Sequence, residues 1–127
     1  PAVAAAARRA IETIRTDSAR REAVWRAARR LHAGLLAQNL PPIAPAGPVG
    51  AVRMPGIRAG LEMWRALLRE GVYVNMLIPP ATPNGDVVLR YSVSAAHRDE
   101  DIDAALEAFG RAARDVGLEG QKGSKDL

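Results

Sequence analysis

The sequence predicts an α+β domain, a small and mostly antiparallel sheet covered on one face by helices. Four stretches repeat apolar residues at three and four positions, the spacing that lets a helix bury one side. Residues 72–77 ("VYVNML") and 87–93 ("VVLRYSV") are rich in β-branched and aromatic residues and read as strands. The resulting order is helix, helix, weak strand, helix, strand, strand, helix, which groups into one α+β layer. With 127 residues, 48% hydrophobic and 25% charged, the chain can hold one modest core but not two.

Val3, Ala7, Ala10, Ile11 and Ile14 form the stripe of a first amphipathic helix with its arginines turned outward. Thr16, Asp17 and Ser18 interrupt it, and any of the three can cap the next helix. That second helix carries Val24, Ala28, Leu31 and Leu35, seconded by Trp25 and Leu36. It ends in "NLPPIAPAGPVG", where Pro41, Pro42, Pro45 and Pro48 supply no helical N–H. Residues 49–54 ("VGAVRM") are a strand weakened by Gly50. Ile57, Leu61, Trp64, Leu67 and Leu68 make the third helical stripe, stopped by Gly71 at a left-handed C-cap. Ile102, Ala105, Leu106, Phe109, Ala113 and Val116 make the last, and Asp99, Glu100 and Asp101 suit the positive end of its dipole. Trp25 and Trp64 are read as core. Helices can cover only one side of so small a sheet, so its other face must meet solvent or another domain.

Several chemistries are excluded at this stage. The chain has no cysteine, hence no disulfide, thiolate ligand or thiol nucleophile. His32 and His97 stand 65 positions apart, which predicts no metal site; packing is expected of the first and a structural hydrogen bond or pairing with Asp99 or Asp101 of the second. No phosphate-binding Walker loop, Rossmann glycine pattern or Gly-x-Ser-x-Gly elbow occurs. There is neither a signal peptide pattern nor an 18-residue apolar run, so a cytoplasmic location is expected; Pro1 in place of Met reads as an excerpt of something longer. Of the 18 basic residues behind the net charge of +4, 16 are arginines spread along the chain, on helical faces and then singly, while Lys122 and Lys125 are confined to a tail, residues 120–127, that reads as flexible. Such spreading favours solvated helix faces and no nucleic-acid partner, although a non-catalytic module that binds an acidic partner or nucleic acid through its arginine faces remains the alternative.

The chemistry concentrates in residues 74–97. Alternation places Val87, Leu89, Tyr91 and Val93 on one face of the strand, and Val88, Arg90, Ser92 and Ser94 on the other. Arg90 is thus a planar five-donor cation on a rigid strand, suited to bidentate capture of a carboxylate or phosphate. The preceding loop, residues 78–86, is longer than a hairpin needs. Pro79, Pro80 and Pro83 stiffen it and Asn84-Gly85 supplies its turn. On the residues alone, a solvated strand arginine and a plain connection remain open.

The string "EGVYVNMLIPPATPNGDVVLRYSVSAAHRDEDIDAALEAF", with "REAVWRAARRLHAGL" upstream, resembles the C-terminal domain of the α-oxoamine synthases over nearly the whole chain. These enzymes use pyridoxal phosphate to condense an amino acid with an acyl-CoA and release carbon dioxide. The resemblance implies a small domain over residues 1–119 of the kind found in fold-type I pyridoxal-phosphate enzymes. It implies a homodimer, and a cofactor held mainly by a large domain that this chain lacks. "PPATP" is most like the bacterial serine palmitoyltransferases, which implies L-serine and a long-chain acyl-CoA, with glycine- or alanine-using members as the alternative. Arg90 matches the family's strand arginine that holds the substrate carboxylate, and Pro79, Pro80, Ala81, Thr82 and Pro83 would border the same cleft. No catalytic residue falls in this segment, and neither Lys122 nor Lys125 replaces the Schiff-base lysine, so the chain alone is expected to be inactive. Two departures stand out: Ile78, where the bacterial enzymes often carry a second arginine, and Arg98 in place of a threonine cap, which would leave capping to Asp99.

Overall fold

The computed structural model describes residues 1–118. The expected flexible tail lies outside them, as do both lysines. Along the chain run α1 (Ala2–Thr16), α2 (Ser18–Ala37), β1 (Val49–Met54), α3 (Ile57–Arg69), β2 (Asn75–Leu77), β3 (Val87–Ser92) and α4 (Asp99–Val116). The three strands form one sheet in the order β1-β3-β2, and β3 is antiparallel to both neighbours. β1 and β2 therefore run parallel on either side of β3, joined by α3 in a split β-α-β unit.

Directly opposed residues of antiparallel strands share a face. Val52 and Met76 flank Leu89, Met54 faces Val87, and Gly50 faces Tyr91. This row packs on α3, α3 and α2 pack on α4, and the largest fully buried side chains of the shared core are Phe109, Leu35, Met63, Leu67, Leu89 and Val52. The expected layer is therefore present, with the apolar side of β3 inward. Gly50, which weakened β1 in sequence terms, is explained by Tyr91: a Cβ at residue 50 would lie 2.4 Å from Cζ and Oη of that ring. The close approach of the buried tyrosine requires the missing side chain.

Three helices end in the same way. α3 closes with Gly71 at φ +80°, Gly71 N–H donating to Leu68 O (3.0 Å) and Val72 N–H to Leu67 O (2.8 Å). This is the Schellman pattern, which satisfies carbonyls left free at a helix terminus. α4 ends likewise, with Gly117 at φ +71° and Leu118 N–H donating to Ala113 O. In α2 the left-handed residue is Asn39 (φ +58°), and Leu40 N–H donates to Leu35 O (2.9 Å). α2 thus stops before its first proline, so Asn39 sets the boundary that the prolines were expected to set. The proline segment instead borders β1: Pro42 bridges to Val52, Ile43 N–H donates to Ala51 O, and His32 Nε2 lies 3.2 Å from Ala44 O.

Some expectations need correction. The stripe of α1 is present but uncovered: none of its residues is buried, Val3, Ile11 and Ile14 are exposed, and the helix makes a small contact with α2. Helical spacing dictates which residues share a face, whereas burial needs another element opposite them. Trp25 is not core, being 43% exposed, although Trp64 is partly buried and donates from Nε1 to Val74 O (3.0 Å). In α3 the buried line is Gly60, Met63, Ala66 and Leu67, while Ile57 and Leu68 are exposed. β2 begins at Asn75 and not at Val72, because Val72 N–H closes α3 and the Val74 carbonyl serves Trp64. The cap of α4 is also built differently. Asp101 accepts the Arg98 N–H (2.8 Å), so Arg98 stands at the N-cap, and Asp99, the first helical residue, pairs with Arg26 instead.

Candidate functional site

The face of the sheet turned away from the helices is built in cross-strand rows. Its central row is Ala51, Arg90, Asn75; the next is Arg53, Val88, Leu77; the last is Val49 opposite Ser92. Arg90 is exposed at the middle of the middle strand, as alternation predicted, between a methyl group and an amide. Ser92 is exposed on the same face. Ser94 lies beyond the strand, in a turn where its N–H donates to His97 Nδ1 (2.9 Å) and His97 N–H donates to its carbonyl (3.2 Å). His97 thus serves as a backbone acceptor, and its interaction with Asp101 is electrostatic, without a hydrogen bond.

Arg90 has no hydrogen bond or ion pair among the described residues, whereas Arg53 on the same face is occupied. Arg53 forks onto Asp86, Nε to Oδ1 at 3.0 Å and Nη2 to Oδ2 at 3.2 Å. Arg90 is therefore the one cation of these three rows still available for a ligand. Its backbone is fixed on a central strand and its planar guanidinium fork matches a carboxylate, which favours bidentate binding.

The loop of residues 78–86 joins β2 to β3, so it springs from the row next to that of Arg90, about 7 Å away along the strand. It is held internally. Ala81 N–H donates to Ile78 O (2.9 Å), the Thr82 hydroxyl donates to Asp86 O (2.5 Å), and Asp86 N–H donates to Pro83 O (3.2 Å). Pro83–Gly85 forms a single 3-10 turn with Asn84 and Gly85 in the left-handed region, as an Asn-Gly turn allows. The Pro79–Pro80 bond is cis. Pro79, Pro80, Ala81 and Pro83 are exposed, Thr82 half-buried, and Ile78 presents an exposed apolar side chain.

The sequence reading singled out Arg90 and the loop but missed Asn75, Arg53 and Asp86. Asn75 also lies 3.5 Å from the Tyr73 hydroxyl. The register places Asn75 opposite Arg90 and Arg53 in the adjacent row, and the ion pair with Arg53 brings Asp86 to the same face. Among the described residues no group of three or more histidines or carboxylates is arranged to hold a metal. No lysine is present among them either, so they offer no amine to bind an aldehyde cofactor covalently.

A family model, aminotransferase class I and II, matches residues 1–109. The chain belongs to the aminotransferase class I and II family. Among its relatives are serine palmitoyltransferases of Caulobacter vibrioides, 41% identical over 93% of this chain, and of Sphingomonas paucimobilis, 39% identical over 94%. An 8-amino-7-oxononanoate synthase of Halorhodospira halophila is 38% identical over 90%. The chain spans 29% of the length of each of these relatives. Among solved structures, serine palmitoyltransferase from S. paucimobilis with a bound PLP-myriocin aldimine superposes with a TM-score of 0.81 at 38% identity. That match covers 85% of this chain and 28% of the other. An 8-amino-7-oxononanoate synthase from Francisella tularensis shares the fold, with a TM-score of 0.69 at 13% identity, covering 82% of this chain and 30% of that one. The three-stranded layer is accordingly that of fold-type I pyridoxal-phosphate enzymes.

Proposed function

We propose that residues 1–119 are the C-terminal small domain of a pyridoxal-phosphate-dependent α-oxoamine synthase, and that the whole protein condenses L-serine with a long-chain acyl-CoA, releasing carbon dioxide. The observation that carries this reading is an unpaired Arg90 at the centre of the open sheet face, in a chain whose relatives include enzymes of that activity. Serine is favoured because serine palmitoyltransferases are somewhat more similar to the chain than the 8-amino-7-oxononanoate synthases. A family member that uses glycine or alanine is the second reading, supported by those same synthases. The protein works as a cytoplasmic homodimer, and the chain by itself is inactive because its partners in the reaction lie outside it.

When bound, pyridoxal phosphate takes up the electron pair of a bond broken at the amino-acid Cα. Arg90 clamps the carboxylate of the same amino acid through two parallel hydrogen bonds, which fixes the orientation of the Cα bonds. Residues 79–83 border the cleft beside it and limit the access of water. As the carboxylate leaves as carbon dioxide, Arg90 loses its anion and the product is no longer held there.

Replacing Arg90 tests the assignment. In the full-length protein Arg90→Ala should lower kcat/KM for the amino acid by about 10- to 100-fold, the loss expected for a charged hydrogen-bonded pair, chiefly through KM. Steady-state kinetics with serine varied at saturating acyl-CoA measures it, and kinetics equal to wild type would remove Arg90 from the site.

A further inference from the structure

The Arg53–Asp86 fork joins two segments 33 residues apart, β1 and the last residue of the 78–86 loop. Asp86 is also the residue on which the loop closes upon itself. Its carbonyl accepts the Thr82 hydroxyl, its N–H reaches Pro83 O, and its side chain is only 23% exposed. One residue thus couples the middle of the loop to a strand of the open face. Arg53, in the row adjacent to Arg90, is at the same time neutralised.

We infer that Arg53 and Asp86 act as a positioning pair for the amino-acid site. The fork straps the loop to β1, and it leaves Arg90 as the single cation of the three rows to which a carboxylate is drawn. Where Ile78 supplies no charge to hold the loop on a substrate, the strap supplies order from the far end. The inference rests on the functional reading above only for the identity of the substrate. Neither residue touches that substrate, and both act through the loop and through Arg90.

Hydrogen-deuterium exchange on the full-length protein without substrate tests the strap, comparing wild type, Arg53→Gln, Asp86→Asn and the double variant. Each single change should speed exchange of the Ala81 and Asp86 amides about 3- to 5-fold, the range expected when a well-formed exposed pair is lost. Leu89 and Tyr91 amides of β3 should stay within about 1.5-fold, and the double variant should be no faster than either single, since the two residues act as one unit. In the enzyme assay both single variants should raise KM for the amino acid about 3-fold or more while kcat changes less than 2-fold. Unchanged loop exchange, equal acceleration in β3, or multiplied effects in the double variant would each overturn the strap. If exchange behaves as stated but wild type turns over no amino acid and acyl-CoA, the strap stands as a loop anchor and the functional reading falls.

Discussion

Gly50 and Tyr91 occupy each other's space on the core side of the sheet. An alanine at residue 50 would place its Cβ inside contact distance of a buried ring that also faces the helices. Gly50→Ala should therefore lower stability by about 1–3 kcal/mol, the usual range for overpacking, measured by urea denaturation. The same position shows why one residue can mislead a sequence reading. Taken alone, glycine weakens a strand; paired with a tyrosine that lies 41 residues later, it is what lets the strand form. Arg90 was legible for the opposite reason, because period two along β3 fixes its face without knowledge of any other strand. Asn75 and Arg53 needed the register, and the role of Asp86 needed its pairing with Arg53, so these stayed hidden. Burial of Tyr91 raises its phenol above the ordinary range, so it remains protonated and takes no part in charge balance at neutral pH.

At the scale of the element, helix ends are controlled by residues in the left-handed region. Asn39→Ala should cost about 1–2 kcal/mol by the left-handed penalty, whereas Asn39→Gly should be neutral or slightly stabilising; thermal unfolding distinguishes the two. The other contribution between elements is ionic. The Arg30 guanidinium forks onto Asp103 at 2.7 and 2.8 Å, joining α2 to α4, and holds that carboxyl below its ordinary value of 3.8. Arg20 does the same to Asp17, and Arg98 to Asp101. A carboxyl whose folded value is depressed stabilises the fold above the unfolded value, and that stabilisation is lost as pH falls through the folded value. The melting temperature should hold from neutrality to about pH 4 and then drop, and Asp103→Asn should drop less steeply because one such group is gone. Melting curves between pH 7 and 2 check both. Sequence periodicity revealed that α1 is amphipathic, yet it could not reveal that nothing among the described residues covers its stripe. The start of β2 was likewise obscured, since Val72 and Val74 have strand character while their backbone groups serve α3 and Trp64.

For the whole molecule, one side of the sheet is filled by α2, α3 and α4 and the other holds an unpaired guanidinium, a polar row and a braced loop. The fold class and this two-sidedness could be read from alternation and helical spacing, because both follow from local periods. The way the open face is shared between Arg90 and the Arg53–Asp86 pair could not, because it depends on which strands meet. At least nine of the described arginines take part in ion pairs with side-chain carboxylates, so part of the positive charge is matched locally on the surface. We propose the open face as one wall of an amino-acid site in a larger enzyme. The most direct measurement is a product assay on the full-length protein supplied with pyridoxal phosphate, L-serine and a long-chain acyl-CoA, beside glycine and alanine, following carbon dioxide and the amino ketone. Turnover with serine exceeding that with glycine and alanine, and none from the 127-residue chain alone, is the predicted result. No condensation with any of the three amino acids would contradict it.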